Sequence, residues 1–154
     1  MVWFVICSIM IMVLDQILKV HVKNTIPVDA QVDTFLPFLK LSNVRNSGVA
    51  FGALRPFSIL MIFMVMLVIV FFCYLIFVKK RQEGLFLISA SFIIGGGLSN
   101  LIDRVFFKYV TDYISLSFFA PVCNLADYFI CIGAILLIIY YFKTPDFDPK
   151  HMSK

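Results

Sequence analysis

Residues 57–78 run for 22 positions without a charged side chain, and residues 84–102 do so for 19. A helix needs about 20 apolar residues to cross the roughly 30 Å hydrocarbon layer, so each stretch predicts a membrane span. Residues 2–22 are apolar until Asp15 and Lys19, and residues 124–142 are apolar except for Asp127. These predict two further spans, each carrying ionisable groups. Four spans place both termini on one side of a membrane.

The connections differ in kind. Residues 79–83 form a tight basic hairpin loop, whereas residues 23–56 are long and mixed in polarity, with Pro27, Pro37 and Pro56. Within the long loop, residues 38–44 have the length and composition of a short strand. Residues 103–122 form a shorter connection with charges and several aromatics. The pattern predicts one integral membrane domain over residues 1–142, followed by a solvated tail, residues 143–154, with Pro145, Asp146, Asp148 and Pro149.

Composition supports lipid over water. The chain has 154 residues, 62% hydrophobic and 14% charged, against about 25% charged in a typical soluble domain. The net charge of +4 is modest. Its densest basic run, Lys79-Lys80-Arg81, suits a cytoplasmic membrane surface and excludes the basic stripe that nucleic-acid binding needs. With Lys19 and Arg104 set aside as site candidates, the 79–83 loop and tail hold six Lys and Arg against five on the opposite side. The density of the short loop orients both termini to the cytoplasm. Residues 1–14 contain no Lys or Arg and no small-residue cleavage site, so they read as a retained span and not a signal peptide.

Cys7, Cys73 and Cys131 lie in apolar runs, and with Cys123 they make no CxxC pair. Neither zinc, a redox pair nor a disulfide is expected. His21 and His151 stand alone, and no HExxH or GxSxG occurs. No metal or cofactor site is predicted.

The informative residues are the ionisable ones placed where lipid belongs, because each costs roughly 2.5–3.5 kcal/mol to insert. Asp15 and Lys19, four apart, share a helix face and can pair. Gly95-Gly96-Gly97 allow close helix approach and are followed by Asn100, Asp103 and Arg104. Asn124 and Asp127, three apart, open the fourth span, and Asp112 lies on the segment before it. Two carboxylates brought close cannot both ionise, so one keeps a proton while the other acts as base. Such a pair can activate water against a peptide carbonyl. Spacing alone equally allows Asp112 to be a turn residue and Asp127 a helix-start charge. It also allows a small transporter or proton-relay subunit, or a scaffold whose polar residues hold helices together.

Five motifs then occur in order: residues 15–19 (DQILK), 46–52 (NSGVAFG), 95–104 (GGGLSNLIDR), 110–113 (VTDY) and 124–127 (NLAD). Together, on a four-span frame, the series resembles the lipoprotein signal peptidase (signal peptidase II) family over nearly the whole chain. The resemblance implies an aspartic endopeptidase of the bacterial cytoplasmic membrane. Such an enzyme cuts prolipoproteins on the amino side of a diacylglyceryl-modified cysteine, at a site near the extracytoplasmic surface.

Asp112 and Asp127 match the family's catalytic dyad. Asn46, Asn100, Arg104 and Asn124 match residues lining the substrate and inhibitor cleft, and Asp15 and Lys19 match its polar pair. Gly48 and Asp103 are further candidates within the motifs. The implied fold is an all-α membrane protein, a four-transmembrane-helix bundle with a small extramembrane β-sheet between helices 1 and 2. The implied partners are prolipoprotein, membrane lipid and the peptide antibiotic globomycin, with no cofactor, and the chain is expected to act as a monomer. The sequence departs from the family pattern at Val49 (often Ala), Ser99 (often Gly), Tyr113 (often Phe) and Cys123 (often Phe).

Overall fold

The computed structural model describes residues 2–48 and 55–144. The second half of the 46–52 motif, His151 and nearly all of the tail therefore lie outside the described residues. Helix α1 spans Val2–Thr25, α2 spans Arg55–Cys73 and continues as a π-helical turn Tyr74–Val78, α3 spans Gly84–Phe107, and α4 spans Leu125–Lys143. All four are long and apolar enough to cross a membrane. Their outward faces carry large apolar side chains such as Ile17, Phe63, Leu67 and Ile135, the surface lipid favours and water does not.

Helix α3 is the centre of the bundle: 61% of its apolar window is buried, against 11–28% for the others. Its three consecutive glycines explain how. Successive helix residues point about 100° apart, so Gly95, Gly96 and Gly97 face three different neighbours. A Cβ on Gly95 would lie 2.7 Å from the Ser8 carbonyl of α1, and one on Gly96 would lie 2.6 Å from the Ala126 carbonyl of α4. Gly97 faces Val65 of α2 at 3.4 Å. From the other side, Gly133 of α4 admits the Ser89 carbonyl of α3.

The contact at Gly96 holds the first turn of α4, which carries Asp127. Gly96→Ala is therefore expected to cost about 1–3 kcal/mol of stability, as overpacking does. Thermal unfolding of the purified variant checks the effect. An unchanged melting temperature would contradict the packing argument.

A four-stranded antiparallel sheet caps one end of the bundle, in the order β1 (Gln31–Asp33), β2 (Leu39–Asn46), β3 (Val110–Leu116), β4 (Phe119–Cys123). Strand β2 takes up residues 39–44 of the strand expected at residues 38–44 and runs on to Asn46, with Phe38 left in the preceding turn. The sheet is larger than the α1–α2 loop alone supplies, because β3 and β4 come from the α3–α4 connection. That connection is also shorter than expected, since α3 runs on through Asp103 and Arg104 to Phe107. Its end is set by Lys108, a left-handed cap whose N–H returns to the Arg104 carbonyl. At the opposite end, Arg81 Nη1 donates to Tyr140 Oη at 2.8 Å and ties the basic loop to α4.

One irregularity in the sheet matters for the site. Leu41 pairs with Ile114 but Val44 pairs with Asp112, so β2 carries an extra residue between them. A one-residue slip flips every following side chain to the other face. Without the bulge Asn43 would oppose Asp112. With it, Val44 does, and Asn46 lies on the face of Asp112. Asn43 instead turns into the bundle, where its Nδ2 donates to the Ile26 carbonyl at 2.7 Å.

Candidate active site

Asp112 and Asp127 converge where β3 meets the start of α4. Asp112 is 2% exposed, and both of its oxygens are held by amides. Asn46 Nδ2 donates to Oδ2 and Asn124 Nδ2 donates to Oδ1, each at 2.7 Å. Asp127 Oδ1 accepts from Asn100 Nδ2 at 2.8 Å, and its Oδ2 accepts from the Asn124 backbone N–H at 3.2 Å. Asn124 thus touches both acids. It is also the N-cap of α4, whose Oδ1 accepts from the Asp127 N–H at 2.9 Å, completing a reciprocal capping box.

An asparagine amide donates from one end and accepts at the other. In all three asparagines a donor occupies the accepting end, so the NH₂ faces a carboxylate. The Gly48 N–H donates to Asn46 Oδ1 at 2.9 Å, and this turn requires a φ of +82° at Gly48, which glycine adopts without strain. Lys19 Nζ donates to Asn100 Oδ1 at 2.8 Å. The Asp127 N–H does the same for Asn124.

Lys19 anchors a buried network behind the acids. Its ammonium group, fully buried, lies 2.7 Å from Asp15 Oδ2 and 3.3 Å from Asp103 Oδ2. Asp15 also accepts from Ser99 Oγ (2.6 Å), Tyr113 Oη (2.9 Å) and the Ala126 N–H (3.2 Å). Asp103 accepts from the Thr111 N–H at 3.0 Å and faces Lys23 at 3.4 Å. A buried charge survives only when paired and hydrogen-bonded, and here each has at least three partners.

Arg104 forms no ion pair among the described residues. Its Nη1 donates to the Asn100 carbonyl at 3.3 Å, and its charge lies within electrostatic reach of Asp127, Asp112 and Asp103.

Burial raises the Asp112 carboxyl to a pKa of about 6, and the nearby Asp127 charge adds to the rise. The amides of Asn46 and Asn124 and the charge of Lys19 pull it back down. An acid so poised can exchange a proton near neutral pH. Asn46 is the strongest of the lowering partners. If the site catalyses acid–base chemistry, Asn46→Ala removes a donor that favours the carboxylate, so the Asp112 pKa rises further and the alkaline limb of the pH–rate profile moves to higher pH. A limb that stays in place or moves down would count against this assignment of the amide.

The structure brings together every site residue expected from the sequence. Tyr113 and Ser99, noted in the sequence only as departures, are also in the network, as are Lys23 and Thr111. A usable signal existed for Lys23, one helical turn beyond Lys19, and for Thr111 and Tyr113, which flank Asp112. Among the described residues, no group of three His, Cys, Asp or Glu side chains is arranged to hold a metal ion, and all four cysteines are free.

A family model described as signal peptidase (SPase) II matches residues 7–143 of the chain. The lipoprotein signal peptidase of Halothermothrix orenii is 37% identical over 135 residues, covering 88% of this chain and 92% of its own. That of Bartonella henselae is 38% identical over 142 residues, covering 89% and 86%. The fold is similar to a solved bacterial membrane enzyme with a TM-score of 0.84 and 28% identity, over 93% of this chain and 94% of that one. A second such structure aligns with a TM-score of 0.83 and 26% identity, over 97% and 93%.

Proposed function

This chain belongs to the signal peptidase II family, the lipoprotein signal peptidases, and from that premise we propose an aspartic endopeptidase with Asp112 and Asp127 as its dyad. The observation that carries the reading is the Asn124 bridge, which holds two electrostatically coupled carboxyls at one helix start.

In the proposed reaction one carboxyl is protonated and the other is ionised. The ionised member takes a proton from water as its oxygen attacks the scissile carbonyl carbon. The protonated member gives its proton to the leaving nitrogen as the C–N bond breaks. The leaving amine is the α-nitrogen of a diacylglyceryl-modified cysteine, which places the cut on its amino side.

The substrate's apolar signal helix enters sideways between spans, exchanging lipid contact for protein contact, while the acyl chains stay in the bilayer. Both termini lie in the cytoplasm, and the sheet end, with the dyad, lies at the extracytoplasmic surface of the cell membrane, where water is available. Arg104, which forms no ion pair among the described residues, offers donors to a substrate carbonyl, whose polar groups find no partner in lipid. The other side of its guanidinium rests on Asn100.

The test is cleavage of a synthetic diacylglyceryl lipobox peptide by the purified protein, with and without globomycin. Release of the signal segment, blocked by globomycin and absent with the unmodified peptide, is expected. Failure to cut the modified peptide overturns the reading in favour of a proton relay or scaffold. Family membership favours the protease.

A further inference from the structure

Asp112 and Tyr113 are neighbours in β3, so their side chains leave opposite faces of the strand. Asp112 faces the asparagines. Tyr113, 2% exposed, enters the bundle beside Val22 and Ile26 of the α1 end. Its hydroxyl donates to Asp15 Oδ1 at 2.9 Å and accepts from the Leu125 N–H at 3.1 Å.

A helix begins with amides that have no acceptor within the helix. In α4 the first three are all satisfied by side chains. The Leu125 N–H goes to Tyr113 Oη, the Ala126 N–H to Asp15 Oδ1, and the Asp127 N–H to Asn124 Oδ1. Two of these three acceptors, Tyr113 and Asp15, are themselves bonded to each other. The start of the helix that carries one acid is thus bolted to the strand that carries the other, through a third element, α1.

We propose that Tyr113 is a positioning residue: its hydroxyl fixes the first turn of α4 against β3 and so sets the separation of the Asp112 and Asp127 carboxyls. This rests on the dyad reading above. Burial and the Asp15 charge hold the phenol above its ordinary pKa, so it remains a donor throughout any practical assay range.

The experiment compares four purified proteins on the diacylglyceryl peptide: wild type, Tyr113→Phe, Leu125→Pro and Tyr140→Phe. Tyr113→Phe removes one oxygen. Leu125→Pro removes the N–H that the oxygen accepts, at the first helical position, where proline is tolerated, after a residue already extended at φ −122° and ψ 171°. Tyr140→Phe makes the same change at the other end of α4, where the hydroxyl accepts from Arg81 Nη1 at 2.8 Å.

The expected result for Tyr113→Phe and Leu125→Pro is a kcat lower by roughly three- to tenfold with KM within about twofold, the scale of a lost neutral hydrogen bond. Their alkaline limb moves to lower pH, because a more distant Asp127 charge raises Asp112 less. Tyr140→Phe is expected to lose melting temperature while keeping kcat and the limb. A wild-type kcat and limb in folded Tyr113→Phe or Leu125→Pro overturns the proposal. So does a Tyr140→Phe variant that matches Tyr113→Phe in both. A wild-type protein that leaves the peptide uncut overturns the dyad reading itself, a result distinct from these.

Discussion

Replacing Asp112 or Asp127 with asparagine is expected to leave a folded protein that has lost its cleavage activity. General acid–base catalysis by a positioned side chain contributes roughly 10²–10⁴-fold, and an amide can neither take nor give the proton. The fold should survive. Each acid accepts two hydrogen bonds in the site, and an asparagine still accepts one of them. The other donor then faces an NH₂, which costs about 1–3 kcal/mol. The variants should therefore melt at lower temperature yet purify as the parent does. Substantial processing of the modified peptide by either variant would remove that residue from the dyad.

The largest effect on stability is expected at Lys19. Lys19→Met keeps the length of the side chain and removes its charge, leaving Asp15 and Asp103 without their shared cation in a fully buried site. Breaking a buried ion pair from one side costs about 3–5 kcal/mol. The same change frees Asn100 Oδ1, so the amide no longer has a reason to aim its NH₂ at Asp127. Activity should fall by more than about tenfold but not vanish, because the two acids remain. Unfolding in detergent and residual cleavage measure the two effects. A variant as stable as the parent contradicts the network argument, and one that is stable but inactive moves Lys19 from support into the chemistry.

The spans were legible in the sequence because lipid imposes a length and a composition on every crossing helix, and an acid inside such a stretch stands out. Asp15, Lys19 and Asp127 announce themselves this way. Asp112 does so less, since it lies outside the four spans, and until the motif order is added a turn residue is as open a reading as an acid of the site. The bulge in β2 was not legible at all. Nothing in residues 41–44 marks an extra residue, because the bulge is decided by how β2 must meet β3 while Asn43 satisfies the Ile26 carbonyl. Strands β3 and β4 were missed for a similar reason. β3 is stabilised by pairing with β2, more than sixty positions earlier in the chain, and β4 pairs in turn with β3, so local pattern carries little of either. The helix α3 outran its expected end because Asp103 and Arg104 look like loop residues until Lys19, Lys23 and the Thr111 N–H surround Asp103.

The order of these pieces along the chain has a consequence for how the protein is made. Asn46 precedes the second helix, Asp112 follows the third, and Asn124 and Asp127 open the last. A ribosome therefore delivers the chemical parts of the site one insertion at a time, and the bridging asparagine arrives only with the final segment. On the proposed dyad, every shorter nascent chain lacks one of the two acids and the asparagine between them, and is expected to be inert in the bilayer.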